Sequence, residues 1–239
     1  MKIEVLGTGS SGNCYKVKIG KATLLLECGL PYKVIQKKLN FKISEIDASL
    51  VTHEHMDHAK AIKDLMKAGV DCYMTKGTAE ALKVKGHRLN TFRKDNKRQG
   101  YCWKFFSDIQ ILPFEAVHDV AEPVSYFIKT RDDKESLVFV TDTAYLKYKI
   151  PKCDCLMIEC NYVKSRLDEN VRLGNINTNL RNRIVKNHLS LESLVEALSA
   201  ASLDRCKKIY LLHLSDGNSD EKLIKRTIQE TTGIEVVVC

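Results

Sequence analysis

The chain has 239 residues, 44% of them hydrophobic, enough for a full globular core and too many apolar residues for a disordered chain. No apolar run approaches the roughly 18 residues of a membrane span, and the stretch Met1–Gly7 is too short in its apolar part for a signal peptide; a cytoplasmic protein with no membrane partner is expected. The net charge of +8 is local: residues 83–104 carry eight Lys/Arg against the single acid Asp95, and residues 171–189 carry four with no acid, as on a surface that meets phosphates.

Lys2–Leu6 and Cys14–Ile19 alternate as half-buried strands, and Ala22–Glu27 is a third, closed by Cys28-Gly29. The loop Gly7–Asn13 reads as a tight polar turn, because it lacks the lysine and following helix of a phosphate-cradling P-loop. A basic helix is expected over Pro31–Leu39, then a buried strand over Asp47–Thr52. Next comes His53-Glu54-His55-Met56-Asp57-His58, with three of the chain's seven histidines in six residues. Ala59–Ala68 has helical spacing, so the hexapeptide lies on a strand-to-helix turn, where several side chains can aim at one point. Imidazole and carboxylate are the usual ligands of zinc and similar divalent ions, and a merely solvated helix start does not call for this density of them.

Val70–Met74 reads as a strand and Thr78–Lys83 as a short helix. The basic segment follows, with Phe92, Tyr101 and Trp103 set among its charges. Strands are expected over Asp108–Phe114, Ser125–Lys129, Leu137–Val140 and Asp154–Ile158, and one or two short helices within 162–187. A helix capped by Ser190 runs over Leu191–Leu203. Lys208–Leu212 is a strand, Asn218 or Ser219 caps a helix that stops before Gly233, and Ile234–Val238 is the last strand. Nine scattered cysteines, with no Cys-x-x-Cys, read as reduced thiols rather than a disulfide framework or zinc ribbon. No repeat or linker interrupts the chain, and a single domain over 1–239 is expected.

Four apolar strands end in a residue of metal-ligand type: the hexapeptide, His118, Asp142 and His213. The hexapeptide His-x-His-x-Asp-His and this order of the rest resemble the metallo-β-lactamase superfamily. Gly9-Ser-Ser-Gly-Asn-Cys14, His118-Asp-Val-Ala-Glu-Pro-Val124, Glu159-Cys-Asn161, His188-Leu-Ser190 and His213-Leu-Ser215 are similar to its YycJ-like (WalJ) branch, whose core resembles ribonuclease Z and ribonuclease J and which is associated with exonuclease action on DNA. The resemblance implies an α/β fold, a four-layer αββα sandwich of two mixed β-sheets. It implies two divalent ions, Zn²⁺ or Mn²⁺, with His53, His55 and His118 on one, Asp57, His58 and His213 on the other, and Asp142 bridging. Asp57 would also orient the attacking water, and Glu159 with His188 would pass a proton to the leaving oxygen; the plainer reading of His188 is a residue before a helix cap.

The function this implies is metal-dependent phosphodiester hydrolysis, exonucleolytic on DNA. A small-molecule hydrolase of the same fold, a ribonuclease and a non-enzymatic binder with a relic site are the rivals. Arg93, Lys94, Lys97, Arg98, Tyr101 and Trp103 are the candidate nucleic-acid platform, joined by Ser10, Ser11 and Asn13 of the first loop; the alternative is a solvated charged loop with its aromatics in the core. The sequence departs from the branch at Glu27, where Asp is usual, and at Tyr162-Val163, where His-Asp is usual.

Overall fold

The computed structural model describes residues 1–95 and 100–239. They form two compact units, one of residues 1–115 and 120–136, the other of residues 116–119 and 137–239. Among the described residues, no helix is long and apolar enough to cross a membrane.

In the first unit, β1 (Lys2–Gly7), β2 (Cys14–Ile19) and β3 (Ala22–Leu26) form an antiparallel meander. Continuing the same sheet, β4 (Ala48–Leu50), β5 (Asp71–Met74) and β6 (Leu89–Thr91) run parallel to β3. β4, in the middle of the parallel strands, is buried on both faces, as a strand covered by crossover helices must be: all three of its residues are buried. The helices are α1 (Tyr32–Lys38), α2 (Met56–Ala59), α3 (Ile62–Lys67) and α4 (Lys76–Ala81). Ile35, Leu39, Ile62 and Leu65 pack with Leu25, Val51, Cys72 and Met74 in one core.

One helix was expected after the histidine turn; there are two. The Ala61 N–H, which would extend α2, donates instead to the Cys28 carbonyl at 2.9 Å. The Asp57 carbonyl it would have used accepts from the Asn13 N–H at 2.7 Å, and the His58 carbonyl accepts from Cys28 N–H at 2.8 Å. Tertiary bonds from the two glycine-containing loops thus take over the helix's own ladder.

The unit continues with a short pair, β7 (Lys94–Asp95) with β8 (Gly100–Tyr101), and an antiparallel meander of β9 (Lys104–Phe106), β10 (Ile109–Glu115) and β11 (Val124–Thr130).

In the second unit, β12 (Ser136–Val140), β13 (Cys155–Glu159), β14 (Lys208–Leu212) and β15 (Glu235–Val238) are all parallel. Between them lie α5 (Lys164–Arg172), α6 (Thr178–Asn187), α7 (Leu191–Ser199) and α8 (Glu221–Thr232). Ser190 caps α7 as expected, its hydroxyl accepting from the Ser193 N–H at 3.1 Å. The helix ends four residues earlier than its apolar pattern suggested. The cap of α8 is Asp220, which accepts from the Leu223 N–H at 3.0 Å. Asn218 and Ser219 are engaged elsewhere: the Asn218 amide donates to the Ser215 hydroxyl, and the Ser219 hydroxyl donates to the Ser215 carbonyl. Gly233 closes α8 in a left-handed conformation, φ 69°.

Candidate metal centre

In the first unit the turn after β4 gathers His53, His55, Asp57 and His58. His53 Nδ1 lies 2.9 Å from the Thr52 hydroxyl, and its Nε2 lies 3.1 Å from His55 Nδ1. His53 and His58 are buried, while Asp57 is a quarter exposed. His58 Nε2 approaches Asp57 Oδ2 at 3.4 Å, and its Nδ1 lies 3.7 Å from Glu27 Oε2. Glu27 has no exposure. Burial pushes its carboxyl above the ordinary range, against the opposing pull of His58 and of the Thr52 N–H. Glu in place of the usual Asp therefore keeps a supporting position beneath the turn.

The turn is fixed from below by two residues. Asn13, fully buried, accepts from the Gly9 N–H (3.0 Å) and the Tyr15 hydroxyl (3.0 Å), and its amide donates to the Asp57 carbonyl (3.3 Å). Gly29 passes so close that a Cβ there would lie 1.7 Å from the Asp57 carbonyl oxygen.

In the second unit, Asp142, Glu159, His188 and His213 each offer a ligand atom, all within 4.8 Å of one another. His213 Nδ1 lies 2.8 Å from Asp142 Oδ1 and 3.4 Å from Glu159 Oε1. His188 Nδ1 lies 2.6 Å from Glu159 Oε1. The other Glu159 oxygen accepts from the Leu189 N–H at 3.0 Å and the Thr143 N–H at 3.2 Å. His118 Nδ1 meets the Asn187 carbonyl at 3.0 Å. A carbonyl only accepts, so Nδ1 carries the proton and Nε2 keeps its lone pair, 3.9 Å from Asp142 Oδ2. Asn161 holds the last strand end: its amide donates to the His213 carbonyl at 2.9 Å.

These donors fit a divalent ion. They are imidazole nitrogens and carboxylate oxygens, their atoms converge, and partners such as Asn187 and Thr52 fix the rings as ligand-supporting groups do. Without an ion, burial would lower the His213 pKa, but Asp142 and Glu159 outweigh it and raise it to about 10. His188 is likewise raised: burial is overcome by Glu159, whose own pKa is held down by His188 despite burial. Glu27, Asp142 and His213 sit at φ 63°, 45° and 53°. Left-handed backbone at such residues costs of order 1–3 kcal/mol each and persists where the surroundings over-determine it.

The nucleic-acid candidates divide. Ser10, Ser11, Arg93 and Lys94 are exposed and Trp103 is half-buried, with Lys129 over its ring at 5.8 Å. Lys97 and Arg98 lie outside the described residues. Tyr101 does not offer its face: it is 8% exposed and its hydroxyl donates to Glu122 at 2.9 Å, while Lys94 pairs with the same carboxylate at 2.7 Å. Phe92 is buried as well. The stacking role expected for Tyr101 is thus corrected to a structural one, and Asn13 is corrected from substrate contact to support of the turn. Tyr162 and Val163 are both buried. The Tyr162 carbonyl accepts from the Leu191 N–H, and the Val163 N–H donates to the Asn218 carbonyl, so this departure serves packing beside the His188 loop.

The sequence reading missed Gly29, Asn161, Asn187 and Glu54, whose carboxylate accepts from the Ala121 N–H at 2.8 Å. Gly29, Asn161 and Glu54 carried a signal, the first as a glycine just past a buried strand and the other two as members of the Glu159–Asn161 and His53–His58 motifs; Asn187 carried none.

The profile of the beta-lactamase superfamily domain matches residues 24–214. The chain is 35% identical over 95% of its length to an exodeoxyribonuclease WalJ of Streptococcus pneumoniae strain D39, covering 86% of that protein. It is 29% identical over 96% of its length to an exodeoxyribonuclease YycJ of Bacillus anthracis, covering 88% of it. Among solved structures, the metallo-β-lactamase fold protein YhfI of Bacillus subtilis matches with a TM-score of 0.74 at 17% identity, over 99% of this chain and 95% of that one.

Proposed function

The chain belongs to the metallo-β-lactamase superfamily, with its α/β fold and mixed sheets and its metal-dependent hydrolase chemistry, and from this premise we propose that it is a cytoplasmic DNA exonuclease working with two divalent ions, Zn²⁺ or Mn²⁺. The observation that carries the reading is 35% identity over 95% of the chain to an exodeoxyribonuclease, in a chain whose Asp142, Glu159, His188 and His213 converge.

In this proposal His53, His55 and His118 would hold one ion and Asp57, His58 and His213 the other, with Asp142 shared between them. Bound ions of this kind supply Lewis acidity toward a phosphoryl oxygen and a nucleophilic water at neutral pH. The protein's own groups do the rest. Asp57, a quarter exposed at the turn, would orient the attacking water. Glu159, with one oxygen fixed by two backbone N–H groups, holds the His188 Nδ1 proton at the other. That bond leaves His188 Nε2 as the atom that hands a proton to the departing oxygen, the step a general acid accelerates by about 10²–10⁴-fold. Thr143 and Asn161 position these groups without touching substrate. Arg93, Lys94, Lys97 and Arg98, with the exposed Ser10 and Ser11, engage the phosphates of the strand, and Trp103 offers a face to its bases.

End-labelled single- and double-stranded DNA and RNA, incubated with Mn²⁺, Zn²⁺, Mg²⁺ or chelator, test the reading. Stepwise loss of DNA ends, abolished by chelator, is expected. Cleavage of RNA alone would make it a ribonuclease, and inertness toward all four polymers, with turnover of a cyclic nucleotide or lactone, would replace it with the small-molecule reading. Elemental analysis of protein purified without chelator is expected to approach about two ions per chain, since seven ligands exceed what one tetrahedral ion uses.

A further inference from the structure

The first unit holds a second concave site. Its cavity of about 490 Å³ is walled by Lys63, Lys67, Lys83, Lys85 and Arg88, and no acidic side chain lines it. Met66 and Val84 supply an apolar surface.

Strand direction puts this cavity away from the histidine turn. β4, β5 and β6 run parallel, and His53 follows the C-terminal end of β4. Lys67 instead precedes the N-terminal end of β5, and Lys83–Arg88 precede that of β6. The lysines therefore stand at the opposite edge of the same strands.

The charges are not accounted for by the protein. Arg88 Nη1 donates to Asp71 at 3.0 Å, but its Nε is buried without a hydrogen-bond partner. Buried N–H groups in folded proteins are almost always paired, so an orphan asks for an acceptor. Among the described residues, Lys63, Lys67, Lys83 and Lys85 form no ion pair. Four ammonium groups around one concavity repel one another, and a multiply charged anion relieves that repulsion. The volume falls within the 300–1,000 Å³ typical of small-molecule pockets. Gly86, at φ 136°, places no side chain between the lysines, and a Cβ there would touch Met66 Cε at 3.6 Å.

We propose that this cavity is a nucleoside polyphosphate site, with the phosphates against the lysines and the exposed part of the Arg88 guanidinium and the base against Met66 and Val84. A triphosphate matches four uncompensated ammonium groups in charge better than a monophosphate does. The site is independent of the nuclease reading.

The test is calorimetric titration of the metal-loaded protein with a non-hydrolysable ATP analogue, paired with brief lysine acetylation read by mass spectrometry. The analogue is expected to protect Lys63, Lys67, Lys83 and Lys85 and to leave Lys2 and Lys222 unprotected. Lys67→Ser with Lys85→Ser is expected to weaken binding about tenfold or more, the loss of one charged hydrogen bond or more. Turnover of a chromogenic phosphodiester by the variant should be unchanged, because the lysines lie at the far edge of the strands. Unchanged affinity in the variant, or no protection of the four lysines, overturns the site. Tripolyphosphate binding as tightly as the analogue overturns the nucleoside part. A single-stranded oligodeoxynucleotide that protects the same lysines while the analogue does not overturns it in favour of a strand-binding surface.

Discussion

Gly29→Ala tests how the histidine turn is held. The new Cβ would lie 1.7 Å from the Asp57 carbonyl oxygen, 2.1 Å from its carbon and 2.8 Å from the His58 nitrogen. An ordinary C···O approach is about 3.3 Å, so the turn must retreat by roughly 1.6 Å. All three nearest atoms are backbone, so no side chain can swing aside. The retreat also strains the Asn13 N–H bond to Asp57 and the Cys28 N–H bond to His58. A displacement of about 1 Å at a reacting group can cost ~10²-fold in rate. Forced overpacking costs about 1–3 kcal/mol, or roughly 2–12 °C in Tm for a chain of this size. The assay is turnover of a chromogenic phosphodiester, with metal content and Tm measured on the same sample. Gly217→Ala is the control, since a Cβ there meets nothing within 4 Å. Turnover and metal content within a factor of about two of the parent, at unchanged Tm, would refute the argument that Gly29 sets the position of Asp57.

His188→Ala and Glu159→Gln are each expected to slow turnover by about two orders of magnitude with metal content intact, as for a lost general acid and its orienting partner; metal loss in His188→Ala would make it a ligand instead. Metal-free protein should lose Tm as pH rises. A histidine whose folded pKa is about 10 stabilises the fold fully below its unfolded value, about 6.5, and loses that support as pH climbs through 10, so a flat Tm between pH 7 and 10 would count against the His213–Asp142 contact. Metal binding to the same protein at pH 8 should release protons, measurable in a weakly buffered indicator solution. Replacing Arg93, Lys94, Lys97 and Arg98 by Ser should weaken DNA binding at every sequence and flatten its salt dependence while sparing a small chromogenic phosphodiester; cleavage of DNA with its salt slope unchanged would move the strand path to residues 171–189.

Most of the residues that converge in each unit were legible because they follow an apolar run. A polar group at the end of a buried strand has few places to go, and His53, Asp142 and His213 all stand there. Glu159 was legible as the acid at such an end and His188 only through the family resemblance, but not their 2.6 Å contact, which joins residues 29 apart in sequence. Support from far away left no local trace: Asn13 reads as a loop residue and is the bracket of a turn 44 positions later. The break between α2 and α3 was hidden for the same reason, since the apolar spacing of Ile62 and Leu65 says nothing about where the Ala61 N–H goes. Aromatics among charges read either way. Phe92 and Tyr101 proved to be inside because Glu122, itself partly exposed, gives the Tyr101 hydroxyl a partner and Phe92 packs on Tyr126 with ring centroids 5.6 Å apart.

Ala116–Asp119 groups with residues 137–239, although its neighbours on either side belong to the first unit. Its imidazole, His118, leans on a carbonyl 69 residues further along. No single cut therefore separates the chain into two pieces that each keep their own donors: a break between Ser136 and Leu137 strands His118 on the N-terminal fragment and Asn187, Asp142 and His213 on the other. On the ribosome the same arrangement imposes an order. His118 emerges long before the acceptor that fixes its tautomer, and His213 emerges later still, whereas His53 and His55 meet their partners within the same turn. The group of Asp142, Glu159, His188 and His213 is complete only once the chain has been made through β14 and residue 213.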